Sequence, residues 1–176
     1  MIYIIEGLDR CGKTSFIDVL RNQIKSPYIF TIHSTKPPSN VNYEEWSKKY
    51  YTNLISRIVN LSLQGNIIIL VRSWIGEAVY GPIYRNTNIP LSYFDSFIKD
   101  HTHLFKLFLF IDSPENLISR EDGNSLSTQN IDKTKNEVEL FKNAFDKSII
   151  FDHNKHLINW ENTEFSKEKL IEITQF

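Results

Sequence analysis

The chain has 176 residues, 41% of them hydrophobic and 23% charged, with a formal net charge of −1. That is one globular domain, large enough to bury a full core without disulfides or structural metals, and its charge gives no sign of a surface built for nucleic acid. A single cysteine, Cys11, excludes an intrachain disulfide. With no secretory signal pattern and no apolar run of spanning length, this predicts a cytoplasmic protein without a membrane partner.

Ile2 to Ile5 is a short apolar run that reads as a buried strand. The spacing of Phe16, Ile17, Val19, Leu20 and Ile24 predicts a helix from Lys13 to Lys25, ended by Pro27. Tyr28 to Ile32 reads as a second strand, and His33 to Asn40, with Pro37 and Pro38 inside it, as a loop. A long helix is predicted over Tyr43 to Leu63, with Trp46, Tyr50, Leu54, Ile58 and Leu61 inward and Gly65 closing it. Ile67 to Val71 is continuously apolar, as suits a strand buried on both faces. A helix from Ser73 to Tyr84 is expected to break at Gly81-Pro82, and another runs from Leu91 to His101. Phe105 to Ile111 is the next strand, followed by a helix with Ser113 as N-cap and Pro114 at its first position. Ser125 to Asn130 is polar and reads as mobile, and Asp132 to Ser148 reads as helix. Of two late strand candidates, Ile149 to Phe151 and Leu157 to Trp160, the second is expected at the centre of the sheet; Lys167 to Ile173 is a closing helix. Strands alternating with helices predict one doubly wound α/β domain, with a parallel sheet of about five strands covered on both faces.

Between the first strand and the first helix, Gly7-Leu8-Asp9-Arg10-Cys11-Gly12-Lys13-Thr14 fits G-x-x-x-x-G-K-[ST] in the strand–turn–helix setting that a phosphate loop requires. Its glycines let successive N–H groups point at phosphate oxygens, and the helix that starts through Thr14 and Ser15 adds its positive end. Lys13 neutralises β- and γ-phosphates, and the Thr14 hydroxyl is a Mg²⁺ ligand in such loops. Cys11 reads as a small residue tolerated by the turn rather than a redox group, although Lys13 and the helix terminus beside it favour a lowered pKa. His33, His101, His103, His153 and His156 show no metal-ligand spacing and read as surface or packing residues.

The stretch Glu6 to Thr14 resembles the phosphate loop of thymidylate kinases, in the subgroup with an arginine inside the loop. Three further stretches agree in order and spacing. Arg72 to Tyr80, within Val71 to Gly81, is similar to the family's D-R-Y…A-Y-Q segment. Phe110 to Glu115 followed by Arg120 resembles its L-D-x-x-P-E…R run into the lid, placed here at about 120–132 with Glu121 and Asp122 as solvated charges. His33 to Pro38 stands where the family has its R-E-P loop, and the tract Gly76 to Arg85 looks like compact thymidylate-kinase-like proteins often encoded by phages. The chain departs from the pattern at Val71, where the family has an aspartate near Mg²⁺, at Gly81, where a glutamine reads thymine, and at Lys36, which replaces an arginine.

The resemblance implies the three-layer P-loop NTPase fold and phosphoryl transfer from ATP with Mg²⁺ to a nucleotide, and family members commonly form homodimers. It implies that Gly7, Leu8, Asp9, Arg10, Cys11, Gly12, Lys13, Thr14 and Ser15 hold the donor, with Mg²⁺ on Thr14 and Arg10 reaching the β- and γ-phosphates. Arg72 and Lys36 would meet the acceptor phosphate, Asp9 the acceptor sugar, and Arg120 the transferring group from the lid. Tyr80, Glu77 and Arg85 fall on the acceptor side. A deoxynucleoside monophosphate kinase acting on dTMP or a modified pyrimidine nucleotide is the leading expectation. A phosphate acceptor is already anionic and needs no general base, which accommodates Val71. A hydroxyl acceptor, whether a deoxynucleoside or 5-hydroxymethyluracil in DNA, would need Asp9 or Glu77 as base. A nucleotide-binding protein without turnover is the third alternative.

Overall fold

The computed structural model describes residues 1–35, 37–120, 130–161 and 166–174. Five strands form one parallel sheet in the order β2-β3-β1-β4-β5: β1 Ile2–Gly7, β2 Ile29–His33, β3 Ile67–Val71, β4 Phe105–Ile111 and β5 Lys155–Asn159. The three inner strands are the chain's most continuous apolar runs, as strands covered on both faces require. Between them lie α1 Lys13–Gln23, α2 Tyr43–Leu63, α3 Trp74–Tyr84, α4 Leu91–Asp95, α5 Pro114–Ser119 and α6 Ile131–Lys147, with α7 Lys167–Ile173 last.

Crossovers between parallel strands are right-handed, so the direction in which the chain steps along the sheet decides the face each helix covers. The step from β1 to β2 runs one way and all later steps run the other. That separates α1, which packs on α7, from the group in which α3 and α5 pack on α6. The chain reverses direction at β1, which opens a crevice at the carboxyl ends of β1 and β3, where open α/β sheets bind ligands. Under the sheet the Phe16 ring of α1 lies 4.9 Å from Phe108 and 5.0 Å from Phe110 of β4, fixing α1 directly below the loop that precedes it.

Several sequence expectations are corrected. β5 is an edge strand, with only Ile158 of its five residues buried and Leu157 exposed. Ile149 to Phe151 is no strand; it is a connection in which Ile150 alone is buried. Helix α3 runs through Pro82 without a break. A proline normally clashes with the Cβ of the residue before it; here that residue is Gly81, and its carbonyl closes the helix by accepting from the N–H groups of Arg85 and Thr87. The helix expected from Leu91 to His101 is a short α4 followed by a 3-10 segment, Lys99–Leu104. The buried stripe of α2 is Ser47, Tyr51, Leu54, Ile55, Ile58, Val59 and Ser62, so Trp46, Tyr50 and Leu61 flank it rather than fill it.

Candidate functional site

β1 delivers the chain into the loop with no room to spare. Gly7 pairs in register with Phe110 and has φ 126°, and a Cβ there would stand 1.9 Å from the Phe110 carbonyl oxygen. Only glycine fits, and its presence brings the loop flush against β4. Leu8 and Cys11 turn their side chains into the core, so their contribution at the surface is backbone. Gly12, at φ 82°, is the N-cap of α1 and offers no side-chain cap, which leaves the first N–H groups of the helix for another acceptor.

Lys13 is buried. Its Nζ donates to the Gly7 carbonyl at 2.8 Å and to the Leu8 carbonyl, and lies 4.0 Å from Asp9 Oδ1. Burial pulls the Lys13 ammonium below its usual pKa, with Arg72 adding to the pull and Asp9 and Glu6 opposing it. Cys11 goes the other way from expectation: burial pushes its thiol up to about 11, overriding Lys13. The thiolate is therefore scarce at neutral pH.

Two arginines of the site carry left-handed backbone, Arg10 at φ 62° and Arg72 at φ 61°. That conformation costs a side-chain-bearing residue about 1–2 kcal/mol and persists only where neighbours over-determine it. For the phosphate loop the neighbours are Arg120, whose Nη1 donates to the Arg10 carbonyl at 3.1 Å, and Trp160, whose Nε1 donates to the Cys11 carbonyl at 3.0 Å. Arg120 is itself held at the end of α5 by the Asn116 carbonyl at 2.9 Å and by an ion pair with Asp112. Asp112 follows β4, is 4% exposed, and is completed by the Ser113 N–H at 2.7 Å and Asn116 Nδ2 at 2.9 Å.

Arg72 follows β3, and its guanidinium pairs with Asp9 of the loop. Burial works against the arginine's charge, but Asp9 and its neighbours outweigh it and hold the pKa above the usual value. Glu6, the last residue before Gly7, sits beneath this pair with 1% exposure. Its Oε1 accepts from the Ser73 N–H, from Ser73 Oγ at 2.6 Å and from the Gly76 N–H at 3.1 Å. Burial raises its pKa, and those donors together with Lys13 hold the rise back.

These groups surround one cavity of about 570 Å³, lined by Asp9, Arg10, Gly12, Lys13, Thr14, Ser15, His33, Ser34, Val71, Arg72 and Arg120. The structure thus brings together the loop, Arg72 and Arg120, all three anticipated from sequence. Tyr80 is half-buried behind Arg72, its ring 5.3 Å from Phe141, and burial and Glu137 raise its pKa well above normal. Glu77 and Arg85 bind each other: one Glu77 oxygen pairs with the Arg85 guanidinium while the other accepts from Ser47 Oγ at 2.9 Å. Lys36, Glu121, Asp122 and nearly all of the lid segment lie outside the described residues.

Sequence reasoning assigned no role to Glu6, Asp112, Trp160 or Ser34, and it dismissed His33, which lines the cavity. For Glu6 and Asp112 a signal existed, since each is a lone acid at the carboxyl end of a mostly apolar run, Glu6 just before the end of β1 and Asp112 just after β4. Glu137 was also missed; it is 3% exposed on α6 and accepts from the Tyr84 hydroxyl.

No protein-family model matches the chain, and no curated protein sequence does. Solved structures do match. A YorR protein from Bacillus subtilis, in complex with phosphorylated GDP, aligns over 98% of this chain and 92% of its own, with a TM-score of 0.67 and 15% identity. A thymidylate kinase from Candida albicans, described as having broad substrate specificity, aligns over 98% and 89%, with a TM-score of 0.61 and 15% identity. A thymidylate kinase from Ehrlichia chaffeensis aligns over 99% and 98%, with a TM-score of 0.61 and 11% identity. The match runs through nearly the whole of each chain, and this protein therefore has the thymidylate kinase fold.

Proposed function

We propose that the chain is an ATP-dependent nucleotide kinase that transfers the γ-phosphoryl group to a deoxynucleoside monophosphate, dTMP or a modified pyrimidine nucleotide in the first place. The observation that carries the reading is the convergence of Lys13, Arg10, Arg72 and Arg120 on one cavity at the carboxyl ends of β1 and β3. Three arginines and a lysine around a single cleft suit two phosphate groups meeting there, and phosphoryl transfer asks the protein mainly for positioning and charge neutralisation. The nucleotide in the YorR complex and the two thymidylate kinases of the same fold support the substrate class.

ATP fits the residues present, because the start of α1 has no side-chain cap and Gly12, Lys13, Thr14 and Ser15 all line the cavity. Bound ATP supplies the phosphoryl group. Magnesium fits as part of that nucleotide: Thr14 offers a hydroxyl at the cavity wall, and no cluster of three or more His, Cys, Asp or Glu groups among the described residues could hold a metal by itself. In this reading the amides of residues 7–15 and Lys13 bind the donor, Arg10 and Arg120 neutralise its outer phosphates, and the planar fork of Arg72 takes the acceptor phosphate with Lys36. Asp9 orients Arg72 and meets the acceptor sugar, and Tyr80 backs the acceptor. Glu77 and Arg85, bound to each other, shape that side from behind. Val71 in place of a carboxylate is tolerated because a phosphate acceptor needs no base.

The test is ADP release with ATP-Mg²⁺ against the deoxynucleoside monophosphates, the matching nucleosides, and duplex DNA with and without 5-hydroxymethyluracil. Turnover confined to monophosphates, and abolished by Lys13→Ala with the melting temperature kept, is the expected result. Turnover only with nucleosides or modified DNA would replace this reading with a hydroxyl-acceptor kinase. The base would then be Asp9, which lines the cavity, whereas Glu77 is buried away from it against Arg85 and Ser47. Silence across the panel would leave a nucleotide-binding protein.

A further inference from the structure

Arg72 occupies a backbone conformation that its own residue type disfavours, and every peptide group around it is tied down. Its N–H donates to the Ile5 carbonyl at 3.1 Å, its carbonyl accepts from Ser34 Oγ, and the next N–H, that of Ser73, donates to Glu6 Oε1. The first of these continues the pairing of β1 with β3, but the other two come from side chains. We propose that Glu6 and Ser34 are positioning residues that lock the left-handed Arg72 backbone and thereby aim its guanidinium at the acceptor phosphate; the proposal rests on the kinase reading above.

A plain capping role does not account for Glu6. Helix α3 has a cap in Ser73 Oγ, which accepts from the Ile75 N–H at 3.1 Å; Glu6 adds to it only the Gly76 N–H, while its other two bonds hold Ser73 itself. The carboxylate is nonetheless kept at 1% exposure, where burial disfavours its charge, and its Oε2 has no hydrogen-bond partner among the described residues. Burying a carboxylate with one oxygen unmet is costly, so an apolar residue like the rest of β1 would serve a mere strand end better. The surroundings are cut to fit it as well: a Cβ at Gly76 would come within 3.0 Å of Oε2. Glu6 is also bonded to Gly7, whose carbonyl receives Lys13 Nζ at 2.8 Å. Adjacent residues of β1 therefore anchor the donor-side lysine and the acceptor-side arginine, which fixes the spacing of the two groups that must meet across the reaction. On the other wall, Ser34 is bound twice to the end of β3, through its N–H to the Val71 carbonyl at 3.0 Å and through its hydroxyl to the carbonyl of Arg72.

The experiment is a double-mutant cycle. Glu6→Ala, Glu6→Gln and Ser34→Ala are each made in the wild-type and in the Arg72→Ala background, with kcat, both KM values and the melting temperature measured. Because displacement of a binding group by about 1 Å costs up to roughly 100-fold, Glu6→Ala should raise acceptor KM or lower acceptor kcat/KM by about 10-fold or more while ATP KM stays within about 2-fold. Glu6→Gln keeps an acceptor oxygen and should recover most of the loss, and Ser34→Ala should lose about 3-fold in the same parameter. In the Arg72→Ala background both changes should add less than about 2-fold, because residues acting through one partner are not additive. Losses that multiply in that background, or that fall equally on ATP, would overturn the proposal. Should Glu6→Ala fail to fold, the Ser34 arm decides by the same criterion. A wild-type protein without turnover on any monophosphate would overturn the kinase reading and this proposal together; an active wild type with multiplying losses overturns this proposal alone.

Discussion

Gly7→Ala tests whether the contact between β1 and β4 sets the position of the phosphate loop. A methyl group there meets two separate penalties. At φ 126° a Cβ is strained wherever it points, and the one it would carry lies 1.9 Å from the Phe110 carbonyl oxygen and 2.8 Å from its carbon. Real Cβ contacts begin near 3 Å, so one strand must withdraw by about 1 Å, and both strands belong to the rigid centre of the sheet. The backbone term is about 1–2 kcal/mol and the overpacking term about 1–3 kcal/mol, giving a loss of about 2–5 kcal/mol. For a chain of this size that is a fall in melting temperature of about 4–20 °C. Gly65→Ala is the control: its φ is 86°, yet a Cβ there meets nothing within 4 Å. It carries the backbone term alone, offset by about 0.4–1 kcal/mol from the stiffer unfolded chain, and should lower the melting temperature by less than about 6 °C. Thermal unfolding by circular dichroism measures both, and the kinase assay on the folded Gly7→Ala protein should show kcat down by about 100-fold, as expected for a site displaced by 1 Å. A Gly7→Ala protein that melts with the Gly65→Ala control would refute the reasoning, because the close approach of β4 would then carry no energy.

The phosphate loop was legible because the chemistry is contiguous in sequence: a strand, eight residues and a helix contain all its parts. β3 and β4 were read to the residue for a similar reason, since an apolar run, unbroken in β3 and interrupted only by Lys106 in β4, is what a strand buried on both faces needs. What failed was whatever depends on partners distant in the chain. Leu157 to Trp160 looked central because it is apolar, but Leu157 is on the open side of the last strand while Trp160 is drawn in to reach the Cys11 carbonyl. Gly81-Pro82 signalled a break because both residues are helix breakers taken singly, but as a pair the glycine has no Cβ to clash with the proline ring. Glu77 and Arg85 were read as groups reaching for a substrate; nothing eight residues apart in sequence says that the Arg85 side chain, at the end of an unbroken α3, reaches back along the helix to Glu77. The clamp on Arg72 was equally invisible, as Glu6 is 67 positions from Ser73 and Ser34 is 38 from Arg72.

Two further perturbations probe groups that the site does not share with its ligands. Arg85→Ala leaves the Glu77 carboxylate, 4% exposed, with Ser47 as its remaining side-chain partner, and should cost about 3–5 kcal/mol of stability in urea unfolding. Adding Glu77→Gln should recover part of it, and no recovery would mean that the arginine stabilises by packing alone. Asp95 should govern the pH dependence of stability. It is 3% exposed, and one oxygen accepts from the Ile149 N–H at 3.3 Å. Burial pushes its carboxyl up from 3.8 to about 6, against the pull of that N–H, of Trp74 and of Lys155. A folded-state pKa above the unfolded one means that the native chain binds the proton more tightly. The resulting contribution is whole below pH 3.8 and is lost as the pH rises through about 6, a difference of about 3 kcal/mol by neutrality. Asp95→Asn, which cannot ionise, should therefore match wild type near pH 4 and exceed it by about 1–3 kcal/mol at pH 7.5. If the two proteins unfold at the same urea concentration at pH 7.5, the buried carboxylate is not under strain and the pocket around Ile149 solvates its charge.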